Sequence, residues 1–213
     1  MNPYIRFVYS VTLMPIILIG LSMGGCVEGQ KSPETILDSP EHHVVNGYKL
    51  MEKGMTNDAE REFQLALQQD PNLSPALRGM GFIFGIQESF DPAFKSMEKA
   101  VAHAKNNRNK ALAYVGFIRL YTMERGEGWI EQAEKYFSMA LAEVKDLPEA
   151  YYYMGLAYTM DQRFVQAESA FRKVVEINEG FVMEAREQLK KVQNNLRRVP
   201  PSDHEKRLAL GAR

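Results

Sequence analysis

Residues 148–174 read PEAYYYMGLAYTMDQRFVQAESAFRKV, and this stretch carries the pattern from which the fold is predicted. It places small residues at Gly155 and Ala167 and an aromatic residue at Phe171. Residues of the same kinds recur 34 positions apart across the chain, a period typical of stacked pairs of antiparallel helices. The matching pairs are Gly47 and Gly81, Ala59 and Ala93, Ala66 and Ala100, Ala133 and Ala167, and Phe137 and Phe171.

Large and small residues occupy the same slots in each unit, where a slot is a position counted from the unit's first residue. The pattern resembles the tetratricopeptide repeat (TPR) family, in which slot 8 is small, slot 24 is aromatic and slots 20 and 27 are alanine. The resemblance rests on Gly47, Leu50, Ala59, Phe63, Ala66 and Pro71 in the first unit, on Leu77, Met80, Gly81, Phe84, Phe90, Ala93, Met97 and Ala100 in the second, and on Tyr151, Met154, Gly155, Tyr158, Phe164, Ala167, Phe171 and Val174 in the fourth.

This resemblance implies an all-α fold, a right-handed superhelical α-solenoid of about four TPR helix pairs plus a C-terminal capping helix. Such a solenoid exposes a concave groove and usually works by holding another protein. We therefore predict a binding protein and not an enzyme. The predicted units are 40–73, 74–110, 111–147 and 148–179, followed by the capping helix at 180–198 and a basic, mobile tail at 199–213.

The third unit departs from the period. Ala76, Ala113 and Ala150 share slot 3 at spacings of 37, which indicates added residues at 106–109 and again at 125–129. We predict that both additions lie in inter-helix turns, where a solenoid tolerates them. Ile118 stands where the other units have glycine, and this bulky side chain is expected to disturb the local helix contact.

The N-terminus has the layout of a secretory signal, because a basic residue is followed by an apolar stretch and then small residues. No charged residue lies between Arg6 and Glu28. Met23-Gly24-Gly25-Cys26 resembles the bacterial lipobox, which implies a signal peptide at 1–25, lipid attachment (palmitate) at Cys26 and a flexible tether at 26–39. The resemblance implies the outer membrane, facing the periplasm.

Two alternatives remain at the N-terminus. The uncharged run 7–27 is about long enough to span a bilayer as an uncleaved anchor. The protein would then be anchored in the inner membrane and still face the periplasm, because Arg6 favours an N-terminus inside the cell.

Residue patterns for catalysis or metal binding are missing from the sequence. None of the four histidines, His42, His43, His103 and His204, stands at a metal-ligand spacing, and Cys26 is the only cysteine. We therefore expect no metal and no cofactor. The chain has a net charge of −1, which disfavours nucleic acid as a partner, although residues 181–213 carry eight Lys and Arg against four acidic residues.

The TPR resemblance also implies which residues face a partner, because the first helix of each unit lines the concave groove. We predict exposure for Tyr48, Arg78, Arg119 and Tyr152, whereas Phe82, Ile86 and Leu156 are as consistent with internal packing. An apolar helical or extended segment is the expected ligand. The predicted groove residues are Tyr48, Met51, Arg78, Phe82, Arg119, Met123, Tyr152 and Met160, with Val44, Ile86, Val115 and Leu156 at the remaining groove slots.

Together these features predict a lipid-anchored TPR scaffold that binds protein partners while an envelope complex is assembled or maintained. It is similar to the pilotin-type lipoproteins of pilus and secretin machinery. One alternative is a scaffold for peptidoglycan enzymes or outer-membrane protein assembly. Another, of a different class, is a ligand-binding or enzyme-associated lipoprotein.

Overall fold

The computed structural model of the protein describes residues 38–198, which form nine helices and no strand. The predicted signal peptide, Cys26, the uncharged run 7–27, most of the predicted tether and the predicted tail lie outside the described residues. The helices are α1 (Pro40–Glu52), α2 (Thr56–Gln69), α3 (Ser74–Ile86), α4 (Phe90–Ala102), α5 (Asn107–Glu124), α6 (Trp129–Glu143), α7 (Pro148–Met160), α8 (Phe164–Ile177) and α9 (Val182–Arg198).

Side-chain caps mark the starts of α1 and α5. The hydroxyl of Ser39 accepts a hydrogen bond from the His42 amide at 3.2 Å, and Pro40 occupies the first turn of α1. The side chain of Asn106 accepts one from the Asn109 amide at 2.8 Å and so starts α5. Both caps satisfy amides that have no partner within their own helix.

The turn inside every helix pair contains a left-handed residue at slot 15. Its φ is 74° at Gly54, 57° at Glu88, 50° at Arg125 and 61° at Gln162. Glycine adopts this conformation without a steric penalty, whereas the other three residues are strained there. The same turn geometry is therefore kept even where the sequence does not supply glycine.

The helix pairs stack as a TPR-like α-solenoid, which confirms the predicted fold class. Each first helix contacts its own second helix, and α1, α3, α5 and α7 also contact one another in sequence. These four first helices form an inner row, whose surface is called the inner face below. Helix α9 packs on α8 through the buried residues Ala185 and Val192.

The core depends on large side chains lying over glycine. Phe63 is fully buried, and a Cβ atom added at Gly47 or Gly79 would lie 2.6 Å or 2.5 Å from its ring. Phe171 is also fully buried, 2.7 Å from the Cβ position of Gly155. Glycine at these positions therefore lets adjacent helices approach closely enough to enclose the ring.

The third pair shows where the prediction about its added residues was wrong. The first addition is helical, since α5 starts at Asn107 and is 18 residues long, whereas α3 and α7 have 13 each. The second addition is shared between the end of α5, the turn and the start of α6. Both additions of residues therefore lengthen helices more than they lengthen turns.

Ile118 changes the packing of the third pair without separating its helices. It is fully buried against Ile130, Ala133 and Met154. Phe137, which corresponds to Phe63 and Phe171, is only half-buried. The isoleucine thus occupies space that the aromatic ring fills in the first and fourth pairs.

Candidate partner-binding groove

The inner face carries a row of exposed apolar side chains at one end of its helices. Slot 13 of the second, third and fourth units is occupied by Ile86, Met123 and Met160, whose exposed fractions are 48%, 37% and 54%. Because α3, α5 and α7 lie side by side, these side chains follow one another across neighbouring helices. Apolar side chains aligned in this way are a candidate contact surface.

The N-terminal part of the inner face is closed by hydrogen bonds within the protein. The Tyr48 hydroxyl donates to the Pro75 carbonyl at 2.9 Å and accepts from Nε of Arg78 at 2.8 Å. The Arg78 guanidinium also lies 5.2 Å from the Tyr48 ring centroid, and that ring packs edge-on against Phe63. Both predicted contact residues are thus half-buried and engaged with their own chain.

The C-terminal part of the inner face is open. A pocket of about 370 Å³ lies between α5, α7 and α9, and an adjoining pocket of about 520 Å³ extends towards α3. The two share Thr122, Met123 and Met160, and we call them together the C-terminal trough. The first pocket is lined by Arg119, Thr122, Met123, Tyr153, Leu156, Thr159, Met160 and Gln188. The second is lined by Gly85, Ile86, Glu88, Phe90, Thr122, Met123, Glu124, Arg125 and Met160.

Arg119 is the charged group of the first pocket. Its guanidinium carbon lies 3.8 Å from the centroid of Phe82 and 4.6 Å from that of Tyr153, so two aromatic rings hold it. Burial lowers the pKa of Arg119, and the positive charge of Arg78 adds to this, against the opposing effects of Tyr153 and Tyr48. The arginine stays protonated because its ordinary pKa is far above neutral.

The other polar groups of the first pocket are few. The hydroxyl of Thr122 donates to the Ile118 carbonyl at 2.7 Å, and that of Thr159 donates to the Gly155 carbonyl at 2.8 Å. Their protons are therefore used within their own helices. Gln188 of α9 supplies an amide, and the rest of the wall is mainly apolar.

The predicted groove residues differ in how far the structure exposes them. Met123 and Met160 are exposed in the trough, and Arg119 lines it while half-buried. Tyr48, Met51, Arg78 and Tyr152 are half-buried; Tyr152 stacks on Phe181 at 4.6 Å. Phe82, Val44 and Val115 are buried, Leu156 is half-buried and Ile86 is exposed. The exposure predicted for Tyr48, Arg78, Arg119 and Tyr152 is thus only partial, because neighbouring residues cover part of each side chain.

Sequence reasoning missed Gln188, Thr122, Thr159 and Tyr153 as parts of the pocket wall. The two threonines stand at slot 12, which in the TPR family faces the concave groove. Applying that slot to every unit would have identified them. Gln188 belongs to α9, which lies outside the repeat units. No repeat pattern therefore pointed to it.

Two charged clusters lie away from the trough. Burial alone lowers the pKa of His43, but hydrogen bonds from its ring to Glu62 at 2.8 Å and Asp38 at 3.2 Å outweigh that effect and raise it. In the second cluster, Arg163 lies within 3.5 Å of carboxylates from both α6 and the turn before α8. Burial, together with the charge and hydrogen bond of Glu134, raises the pKa of the neighbouring Tyr158 to about 12.

The described part of the chain has no group of three His, Cys, Asp or Glu residues placed to hold a metal ion. Among residues 38–198, no helix is both long and apolar enough to cross a membrane.

Comparison with known proteins identifies the fold. No protein-family model and no curated protein matches the chain. A thermophilic TPR protein of Thermus thermophilus, TTC0263, is 21% identical over 74% of this chain and 82% of its own, with a TM-score of 0.59. PilW, a widely conserved type IV pilus biogenesis factor, is 15% identical over 83% of this chain and 85% of its own, with a TM-score of 0.55. These similarities show a TPR fold.

Proposed function

We propose that this protein is a lipid-anchored scaffold whose inner face holds partner proteins while an envelope complex is assembled or maintained. The observation that carries the proposal is the C-terminal trough, in which Ile86, Met123 and Met160 are exposed next to one another on the inner face. Exposed apolar side chains in a groove favour binding of another chain.

The chemistry of the trough favours binding over catalysis. Besides the phenol of Tyr153, its first pocket offers a guanidinium, an amide and two threonine hydroxyls whose protons are already donated to carbonyls. These groups orient a ligand, and none of them exchanges a proton readily near neutral pH. Flexible methionine side chains can adjust to an apolar segment, so a helical or extended apolar segment is the proposed occupant.

We favour pilus- or secretin-type machinery as the site of action. PilW, which has this fold, is a type IV pilus biogenesis factor, and the predicted lipid anchor at Cys26 would hold this protein at the outer membrane, facing the periplasm. The alternative is that the protein uses the same trough to scaffold peptidoglycan enzymes or outer-membrane protein assembly. A ligand-binding lipoprotein is a second class, favoured by one observation: the first pocket has about the volume of a small-molecule site.

Site-specific photocrosslinking in the cells of origin tests the scaffold proposal. A photoreactive residue at Met160 should crosslink to a component of an envelope complex. The matched control is Val165, which is 56% exposed on α8 outside the trough and should give no such product. The Met160 product should persist when the chain is truncated before Pro200. Crosslinks from Val165 alone would place recognition outside the trough. Loss of the Met160 product on truncation would place recognition in the C-terminal tail.

Metabolic labelling tests the anchor separately. The wild-type protein should incorporate labelled palmitate, and the Cys26→Ser variant should remain unlabelled as a soluble protein or an uncleaved precursor. Palmitate on the Cys26→Ser variant would contradict the anchor assignment. The crosslinking result does not depend on this outcome, since the trough lies within residues 38–198.

A further inference from the structure

The half-buried arginines of the described chain fall into two kinds. Arg163 lies within 3.5 Å of the carboxylates of Glu131, Glu134 and Asp161. Arg78 and Arg119, on the inner face, have no carboxylate of residues 38–198 within ion-pair distance. Arg78 donates to the Tyr48 hydroxyl, whereas the guanidinium of Arg119 has no hydrogen-bond acceptor in the described part of the chain.

This arrangement is unfavourable for the protein alone. A guanidinium has five N–H donors, and burying its charge without an anion raises the free energy of the folded state. Phe82 and Tyr153 stabilise the cation through their faces, but aromatic faces do not replace a carboxylate. Arg78 adds a second positive charge close enough to lower the pKa of Arg119. The local charge is therefore suited to an anion supplied from outside.

We infer that Arg119, supported by the charge of Arg78, binds one aspartate or glutamate side chain of the apolar partner segment that occupies the C-terminal trough. The inference rests on the proposed function and specifies its ligand. An Arg–carboxylate pair in a desolvated site forms two parallel hydrogen bonds and fixes the register of the bound segment.

The shape of the trough favours an acidic residue inside a segment over a terminal carboxylate or a free anion. On one side of Arg119 the trough continues past Met123 to Ile86, and on the other it reaches Gln188 of α9. A segment crossing Arg119 can therefore extend in both directions. Leu156 and the two methionines present apolar walls, which a small inorganic anion would not use.

Peptide selection on the folded full-length chain supplies the probe. Two random phage libraries of peptides about 12 residues long, enough to cross a groove of this kind, are used. In one the peptide is followed by the coat protein, and in the other it has a free C-terminus. On the wild-type protein, the first library should yield apolar peptides with one Asp or Glu. Changing that Glu to Gln in a synthetic copy should weaken binding about tenfold or more.

Three substitutions of Arg119 and one control substitution at Arg163 assign the effect to Arg119. On Arg119→Gln the Glu and Gln peptides should bind within about twofold of each other, and on Arg119→Lys the preference should be intermediate because the paired donors are lost. The matched control Arg163→Gln should keep the full preference. Without peptide, Arg119→Met should melt at or above the wild-type temperature, because it removes a half-buried charge that has no ion-pair partner among residues 38–198.

Each other outcome overturns the inference in a recognisable way. Peptides that lose binding on Met160→Gln but show no preference for an acidic residue would leave the groove function intact and remove the role of Arg119. If only peptides with a free C-terminus are enriched, the ligand of Arg119 would be a C-terminal carboxylate and not an internal acidic side chain. Failure to select any peptide sensitive to Met160→Gln would overturn both the inference and the proposed function.

Discussion

The two ends of the inner face share a core but differ in surface. At the N-terminal end Phe63 lies over Gly47, and at the C-terminal end Phe171 lies over Gly155 in nearly the same geometry. Above the first core, Tyr48 closes the surface through its hydrogen bonds. Above the second, the surface opens into the C-terminal trough. The slots that build the repeat and the slots that line the inner face can thus change independently.

The largest expected effect concerns the shared core. Phe63→Ala and Phe171→Ala should each lower the free energy of unfolding by about 3–5 kcal/mol, since each removes a fully buried ring. Denaturant unfolding followed by circular dichroism measures the loss. Phe137→Ala is the control and should cost clearly less, because that ring is half-buried beside Ile118. An equal or larger loss at Phe137 would show that the third pair is packed like the others.

The next effect is confined to the N-terminal end. Hydrogen bonds to Glu62 and Asp38 raise the pKa of His43 in the folded state, so the histidine stabilises the fold most below its unfolded pKa of about 6.5, and this stabilisation is lost as the pH rises through the folded value. Asp38 is largely exposed, which weakens its share. His43→Gln should therefore cost about 1–2 kcal/mol at about pH 5.5 and less at about pH 8.5. A pH-independent difference between wild type and variant would contradict this assignment.

A smaller effect separates the two surfaces directly. Tyr48→Phe removes one hydroxyl that bonds both Pro75 and Arg78, and it should lower the free energy of unfolding by about 1 kcal/mol. Tyr152→Phe is the matched control at the C-terminal end, where the hydroxyl has no hydrogen-bond partner among residues 38–198 and the ring stacks on Phe181. Thermal melting of both variants gives the comparison. Equal losses would mean that the N-terminal surface is not held closed by this hydroxyl.

The smallest expected change in stability concerns the turns inside the first and fourth helix pairs. The first pair has Gly54 at the left-handed position, and the fourth has Gln162. Gln162→Gly should raise the free energy of unfolding by about 0.5 kcal/mol, because relief of backbone strain exceeds the added entropy of the unfolded chain. Gly54→Ala should lower stability through backbone strain alone, since the space around this position is open. A destabilised Gln162→Gly protein would indicate a different turn.

The sequence predicts the core better than the surface, and the reason is physical. Phe63 and Phe171 each need glycine one helix away, and both stand at the same slot of their units, so the slot pattern locates them once the residues added in the third unit are allowed for. The exposure of Tyr48 and Tyr152 instead depends on individual contacts, such as those to Arg78 of α3 and to Phe181 just before α9, which no slot rule contains.

The third pair marks a second limit. The repeat pattern identifies Ile118 and the residues added before it as departures from the period. It does not specify how the structure accommodates them. The added residues continue the helix after the Asn106 cap, and Ile118 fills the space left by the half-buried Phe137. Helix propensity and side-chain volume decided both outcomes locally.

We propose that partners bind at the C-terminal end of the inner face and not at the N-terminal end. Methyl NMR of the protein labelled at its methionines, titrated with a peptide selected on the folded chain, tests it most directly. We expect the ε-methyl signals of Met123 and Met160 to shift, while those of Met51 and of the exposed Met55 and Met183 stay in place. A shift at Met51 with Met123 and Met160 unchanged would show that partners bind at the N-terminal end instead.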